Sequence, residues 1–139
     1  RNDPSVNLAL ANTYLQSGKY DLAISEYLDG VDYFRERYGE YPRINLYNKE
    51  MVEAMKLLSA LYNNLGVGYI NINDEKKALV YFWKAVEAAK KLGFSNENPY
   101  ARANIQYVLQ NKNKIVSDPQ IQTEIIKSIV EKPYENIPF

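Results

Sequence analysis

The 139-residue sequence contains no cysteine and no histidine. Without cysteine there can be no disulfide, thiolate nucleophile, iron–sulfur cluster or thiolate zinc site. Without histidine the chain lacks the commonest general base and the commonest metal ligand, so Ser–His–Asp and Cys–His chemistry are excluded. A cysteine-free chain survives in either redox environment, and the compartment stays undecided. Excess charge is missing too. The 17 basic and 17 acidic side chains cancel and are interspersed, whereas binding a phosphate backbone requires clustered cations. Nucleic acid is therefore not an expected partner. No apolar run approaches the roughly 20 residues of a membrane span, so direct membrane insertion is not expected either. No signal peptide is present. The first residue is Arg1 and not Met, which reads as a cut or processed end and leaves room for a signal sequence, an anchor or further domains.

What is present is ordinary for a globular chain, with 46% hydrophobic and 24% charged residues. The length suits one domain, and a chain of this size buries roughly two-thirds of its unfolded surface without staples. Two residue types are in excess, 13 Tyr and 15 Asn. Together with Ile and Lys they are favoured by AT-rich genomes, a hint at a bacterial source and not at a function.

An internal repeat organises the chain. Leu10 matches Leu65, Ala11 matches Gly66, Tyr14 matches Tyr69, Ala23 matches Ala78, Tyr27 matches Phe82 and Gly30 matches Ala85, all in one ungapped register. Leu10, Ala11 and Tyr14 share one helical stripe, and Ala23, Tyr27 and Gly30 form a second at i, i+4, i+7. Between them Gly18 can take the left-handed conformation that ends a helix. Asn73, the next-best residue for that conformation, holds the same place in the second copy. Each copy thus reads as two antiparallel helices joined by a tight turn, with small residues where the backbones approach.

This pattern resembles the tetratricopeptide repeat, whose signature is an aromatic, Leu-Gly, Tyr, then Ala-x-x-x-Phe. The second copy shows it as Tyr62, Leu65-Gly66, Tyr69, then Ala78 and Phe82. In the first copy Asn7, Ala11 and Tyr27 replace the aromatic, the Gly and the Phe. Neither copy has the Pro with which the family usually ends its second helix. The resemblance implies an all-α fold, a short right-handed α-solenoid of antiparallel helix pairs.

Asp3-Pro4, Asn98-Pro99 and Asp118-Pro119 each place a capping side chain before Pro at a first helical position. Six helices are predicted, near 4–17, 20–38, 47–72, 75–92, 99–115 and 119–131. They form units at about 4–38, 47–92 and 99–131, followed by a non-helical tail over 132–139 in which Pro133 and Pro138 impose extended backbone. The last pair reads as a degenerate third unit whose final helix caps the stack. Met51, Met55, Leu58, Tyr62, Leu65, Tyr69 and Ile72 form one continuous stripe, and Ala23, Tyr27, Gly30, Phe34 and Tyr38 another. The second and third helices should therefore be long and make an extended hairpin between the first and second units, with residues 39–42 at its tip.

Little in the sequence carries chemistry. Gly66-Val67-Gly68 lacks the third glycine and the preceding strand of a phosphate loop. Glu50 and Glu53 lie on a polar helix face, as do Asp29, Asp32 and Glu36, and read as solvated carboxylates. No loop has the alternating oxygen ligands of a calcium site. No catalytic, cofactor or metal site is expected, and the chain is not expected to be an enzyme. Trp83 follows core-facing Phe82 and is turned partly away. It reads either as packed against the next helix or as an exposed anchor.

The family binds partners in a concave groove lined by the first helix of each pair. Carried over by position, that groove would be lined by Leu8, Asn12, Leu15 and Gln16 in the first unit and by Asn63, Asn64, Val67 and Asn71 in the second. An Asn amide can bond an extended peptide backbone in both senses. Asn12 and Asn64 also fall where one subfamily has the Asn residues of a carboxylate clamp, but Leu8 stands where that clamp has Lys. A second candidate surface is the hairpin tip with Tyr33, Arg37, Tyr41 and Arg43, since Tyr and Arg are enriched at binding hot spots. The expected function is a scaffold or adaptor for a protein or peptide partner, with self-association open. The alternative is a small-ligand-binding accessory module of a transport or envelope system.

Overall fold

The computed structural model describes residues 3–40, 42–92 and 99–110. These contain five α-helices and, among the described residues, no strand: α1 (Pro4–Gln16), α2 (Tyr20–Tyr38), α3 (Lys49–Asn71), α4 (Glu75–Lys90) and α5 (Pro99–Gln110). The expected continuation of the fifth helix to 115, the sixth helix at 119–131 and the tail lie outside the described residues.

Local chemistry sets the helix starts. Asp3 caps α1, its Oδ1 accepting from the Ser5 N–H at 2.8 Å, with Pro4 at the first helical position. Asn48 caps α3 by accepting from the Met51 N–H at 3.2 Å, which places that start at Lys49 and not at 47. Asp74 caps α4 in the same way through the Lys77 N–H.

The repeat register holds at the level of single hydrogen bonds. Gly18 has φ 75° and Asn73 has φ 64°, both in the left-handed region as the sequence predicts. In the first turn Lys19 N–H donates to Tyr14 C=O at 2.9 Å and Gly18 N–H to Leu15 C=O at 3.1 Å. In the second, Asp74 N–H donates to Tyr69 C=O at 2.9 Å and Asn73 N–H to Ile70 C=O at 3.0 Å. This is the double bond pattern by which a left-handed residue satisfies the last carbonyls of a helix.

Packing follows chain order. α1 lies on α2, α2 on α3, α3 on α4 and α4 on α5, and α1 also touches α3. The seams are closed by small residues opposite large ones. A Cβ on Gly66 would stand 2.5 Å from the Phe82 ring, and one on Gly68 would stand 2.9 Å from Ile24. Ala11, Ala23, Tyr27, Leu61, Leu65, Ala78 and Phe82 have no exposed surface. Tyr62, Tyr81 and Tyr69 stack between α3 and α4, with ring centroids 6.0 and 5.4 Å apart. Lys84 lies over the first two rings and Lys77 over the third. The helices differ in length. α2 and α3 have 19 and 23 residues, whereas their outer neighbours α1 and α4 have 13 and 16. No described helix is long and apolar enough to cross a membrane.

Candidate functional site

Four asparagines on α1, α3 and α5 meet in one chain of hydrogen bonds. Asn104 on α5 donates to Asn63 Oδ1 at 3.2 Å. Asn63 donates to Asn64 Oδ1 at 3.3 Å, and Asn64 donates to Asn12 Oδ1 on α1 at 2.9 Å. The hydroxyl of Tyr27 on α2 donates to the same Asn12 oxygen at 2.5 Å. Asn63 and Asn64 are fully buried and Asn104 nearly so. Burial pushes the Tyr27 phenol well above its ordinary value, so the hydroxyl keeps its proton and remains a donor.

This network changes the reading of the groove. The sequence assigns eight residues to an open wall, and the structure buries five of them: Leu8, Leu15, Asn63, Asn64 and Val67. The three apolar ones belong to the core. The two amides bond to one another and to Asn12, since a buried amide without partners costs about 1–3 kcal/mol. Asn12 is half-buried and Gln16 exposed. Asn71 is half-buried, and its Nδ2 bonds the Val67 carbonyl at 2.9 Å while its Oδ1 has no partner among the described residues. Of the eight, only Asn12, Gln16 and Asn71 keep exposed surface.

At the far end of α2 and α3 the chemistry is different. Arg37 is exposed and bonds Glu50 at 2.6 Å. The Tyr38 hydroxyl reaches the same Glu50 oxygen at 3.4 Å. Arg37 holds the Glu50 carboxyl below its ordinary range, as Ser5 does for Asp3. A general acid at neutral pH needs the opposite shift. Tyr33 is half-buried and Arg43 exposed, and Tyr41 lies outside the described residues. Sequence reasoning left two residues out of the site. Leu46 is 55% and Tyr47 97% exposed, both in the connection before α3. Tyr47 stands four positions before Met51 and so reads as the first residue of the third helical stripe, which hides it as a contact residue.

Two half-open clefts flank this end. One, of about 300 Å³, lies where the start of α1 meets α2 and α3. It has apolar walls from Phe34, Ala54, Leu57, Leu58 and Leu61 and a rim of Asp3, Glu50, Glu53, Arg37 and the tyrosines 33 and 38. The other, of about 280 Å³, lies against the end of α4 and is lined by Phe34, Met55, Leu58 and Tyr62 with Arg35, Lys84, Lys91, Glu40 and Glu87. On α4, Trp83 is 55% and Val80 51% exposed, so Trp83 is not sealed against a neighbouring helix. Among the described residues no cluster of three acids is placed to hold a metal ion.

A family model described as tetratricopeptide repeat matches residues 4–36 and 59–92. These two segments coincide with the helix pairs α1–α2 and the second half of α3 with α4. No curated protein and no solved structure matches the chain significantly.

Proposed function

The chain is a tetratricopeptide repeat protein, and from that premise we propose that it is a non-catalytic scaffold that holds a protein partner chiefly through the end of its α2–α3 hairpin. Repeats of this family generally mediate protein–protein interaction and are typically non-catalytic. The residues between the two matched segments, 37–58, hold the last two residues of α2, the connection and the first ten residues of α3. The supporting observation is the exposure of Leu46 and Tyr47 in the connection before α3, Tyr47 being the most exposed large apolar side chain among the described residues. Aromatic anchors next to desolvated pockets carry most of the energy of typical interfaces. Both clefts are half-open, which favours a protein side chain over an enclosed small ligand. Within the groove, Asn12, Gln16 and Asn71 form a second and smaller contact surface.

The test is affinity capture from the native source with the wild-type chain and with Tyr47→Ala and Arg43→Ala. The reading expects both variants to lose the captured partner and to melt like the wild type. Capture that survives both substitutions would contradict it.

A further inference from the structure

The outer faces of α2 and α4 carry opposite charges. On α2 the acids Asp21, Glu26, Asp29, Asp32 and Glu36 fall within roughly 140° of arc at the helical period. No base of α2 lies in that arc, since Arg35 and Arg37 flank it. Leu22, 50% exposed, and the half-buried Tyr33 share the face, opposite the buried Ala23, Tyr27 and Phe34. On α4 an arc of the same width holds Lys76, Lys77, Lys84 and Lys90 against one acid, Glu87. Val80 and Trp83, 51% and 55% exposed, stand among them. Lys77 and Lys84 lie over the tyrosine rings between α3 and α4, which steadies their ammonium groups on this face. The two faces look the same way. Both helices pack on α3, and they border one cleft, with Arg35 and Glu40 on one bank and Lys84 and Lys91 on the other. An acidic helix and a basic helix thus stand level and side by side on one surface, outside both the packed seams and the hairpin end.

We propose that this surface binds the same surface of a second copy, in a two-fold dimer that lays the acidic α2 of each copy on the basic α4 of the other. The dimer goes beyond the partner binding at the hairpin end and does not depend on it. A two-fold interface needs one patch that is its own complement, so that residue i meets j and j meets i. An acidic and a basic helix side by side meet that need. A half-turn about an axis between them, parallel to both, brings α2 over the other copy's α4 on both sides at once. Levels along the helices are kept in such a turn. Asp32 then comes between Lys77 and Lys84 of the other copy, Glu26 over Lys76, and Tyr33 over Trp83. Charges in this arrangement select the partner and its register, because a slide that sets Lys on Lys is penalised. Covering the Trp83 ring supplies apolar attraction, since aromatic rings bury the largest areas of any side chain.

The test combines sedimentation equilibrium with the fluorescence of Trp83, the single tryptophan of the chain. With rising concentration the wild type should approach twice its 16.1 kDa mass, and acrylamide quenching of Trp83 should fall as the ring is covered. Salt at about 1 M should weaken the dimer by roughly tenfold, because the Debye length shrinks to about 3 Å. Asp29→Lys with Asp32→Lys, and separately Lys76→Glu with Lys84→Glu, should each stay monomeric and melt as the dilute wild type does. An equimolar mixture of these two variants should dimerise again. In the mixed pair, reversed charges meet reversed charges across one half of the interface and native charges meet across the other. A wild type that stays monomeric up to roughly 1 mM would overturn the proposal. So would a dimer that survives in either variant, by placing the interface elsewhere, or a mixture that stays monomeric. Growth beyond the dimer would overturn the two-fold in favour of an open head-to-tail assembly. Tyr47→Ala should dimerise like the wild type, and a monomeric Tyr47→Ala would overturn the proposal by moving the interface to the hairpin end. Partner capture lost in Tyr47→Ala at an intact dimer keeps the two surfaces separate, so either reading can fail without the other.

Discussion

The repeat body and the hairpin end are built from the same two helices on opposite principles. In the body, between α1, α2, α3 and α4, every large side chain on the seam has a partner. Tyr27 and Phe82 are fully buried, Gly66 leaves room for the Phe82 ring, and the amides of Asn12, Asn63, Asn64 and Asn104 close on one another. At the end, the start of α1 and the end of α4 border two half-open clefts against α2 and α3. Ion pairs such as Arg37–Glu50 stand in water, and Tyr47 is 97% exposed. Substitutions in the body should therefore change stability, and substitutions at the end should change association. The comparison can be broken by any variant that does the reverse.

The largest effect expected in the body is Phe82→Ala. The side chain is fully buried against Gly66, and truncation of such a ring costs about 3–5 kcal/mol, to be read as a lowered midpoint in urea unfolding. Next is Gly66→Ala. The new Cβ would stand 2.5 Å from Phe82, and overpacking of this kind costs about 1–3 kcal/mol. Asn64→Leu should fall in a similar range. It removes the acceptor of the buried Asn63 Nδ2, and a buried polar group left unpaired costs about 1–3 kcal/mol. If Asn64→Leu were neutral, the amide chain would be a surface feature, and the groove would have to be reconsidered as the partner site.

A smaller, pH-dependent effect follows from the tyrosines. Burial raises the phenols of Tyr27, Tyr62, Tyr69 and Tyr81 above their ordinary value of 10.0. A folded value above the unfolded one means that the contribution is fully present below pH 10 and is lost as the unfolded phenols ionise above it. Thermal melting should thus be level through pH 9 on this account and fall above pH 10. The decline should be less steep in Tyr27→Phe.

The body was largely legible in the sequence. The 55-residue register, the Asp3-Pro4 helix start and the left-handed residues at 18 and 73 are local signals, and local geometry satisfied them. The groove was less legible. Asn12, Asn63 and Asn64 have side chains that suit a peptide backbone and a neighbouring amide equally well. Which of the two they meet depends on the distance between α1, α3 and α5, and periodicity does not encode that distance. The hairpin end was half legible. The long stripes predicted its helices, but they directed attention to Tyr33, Arg37, Tyr41 and Arg43. Leu46 lies just before the third stripe and Tyr47 extends it by four positions from Met51, so the sequence reads Tyr47 as a helix start and only its exposure marks it.

The most direct test of this division compares Tyr47→Ala with Asn71→Ala in partner capture, each alongside its melting temperature. The account predicts that Tyr47→Ala abolishes capture at an unchanged melting temperature, while Asn71→Ala captures nearly as well as the wild type. Full capture by Tyr47→Ala together with loss in Asn71→Ala would contradict it and return the partner to the groove.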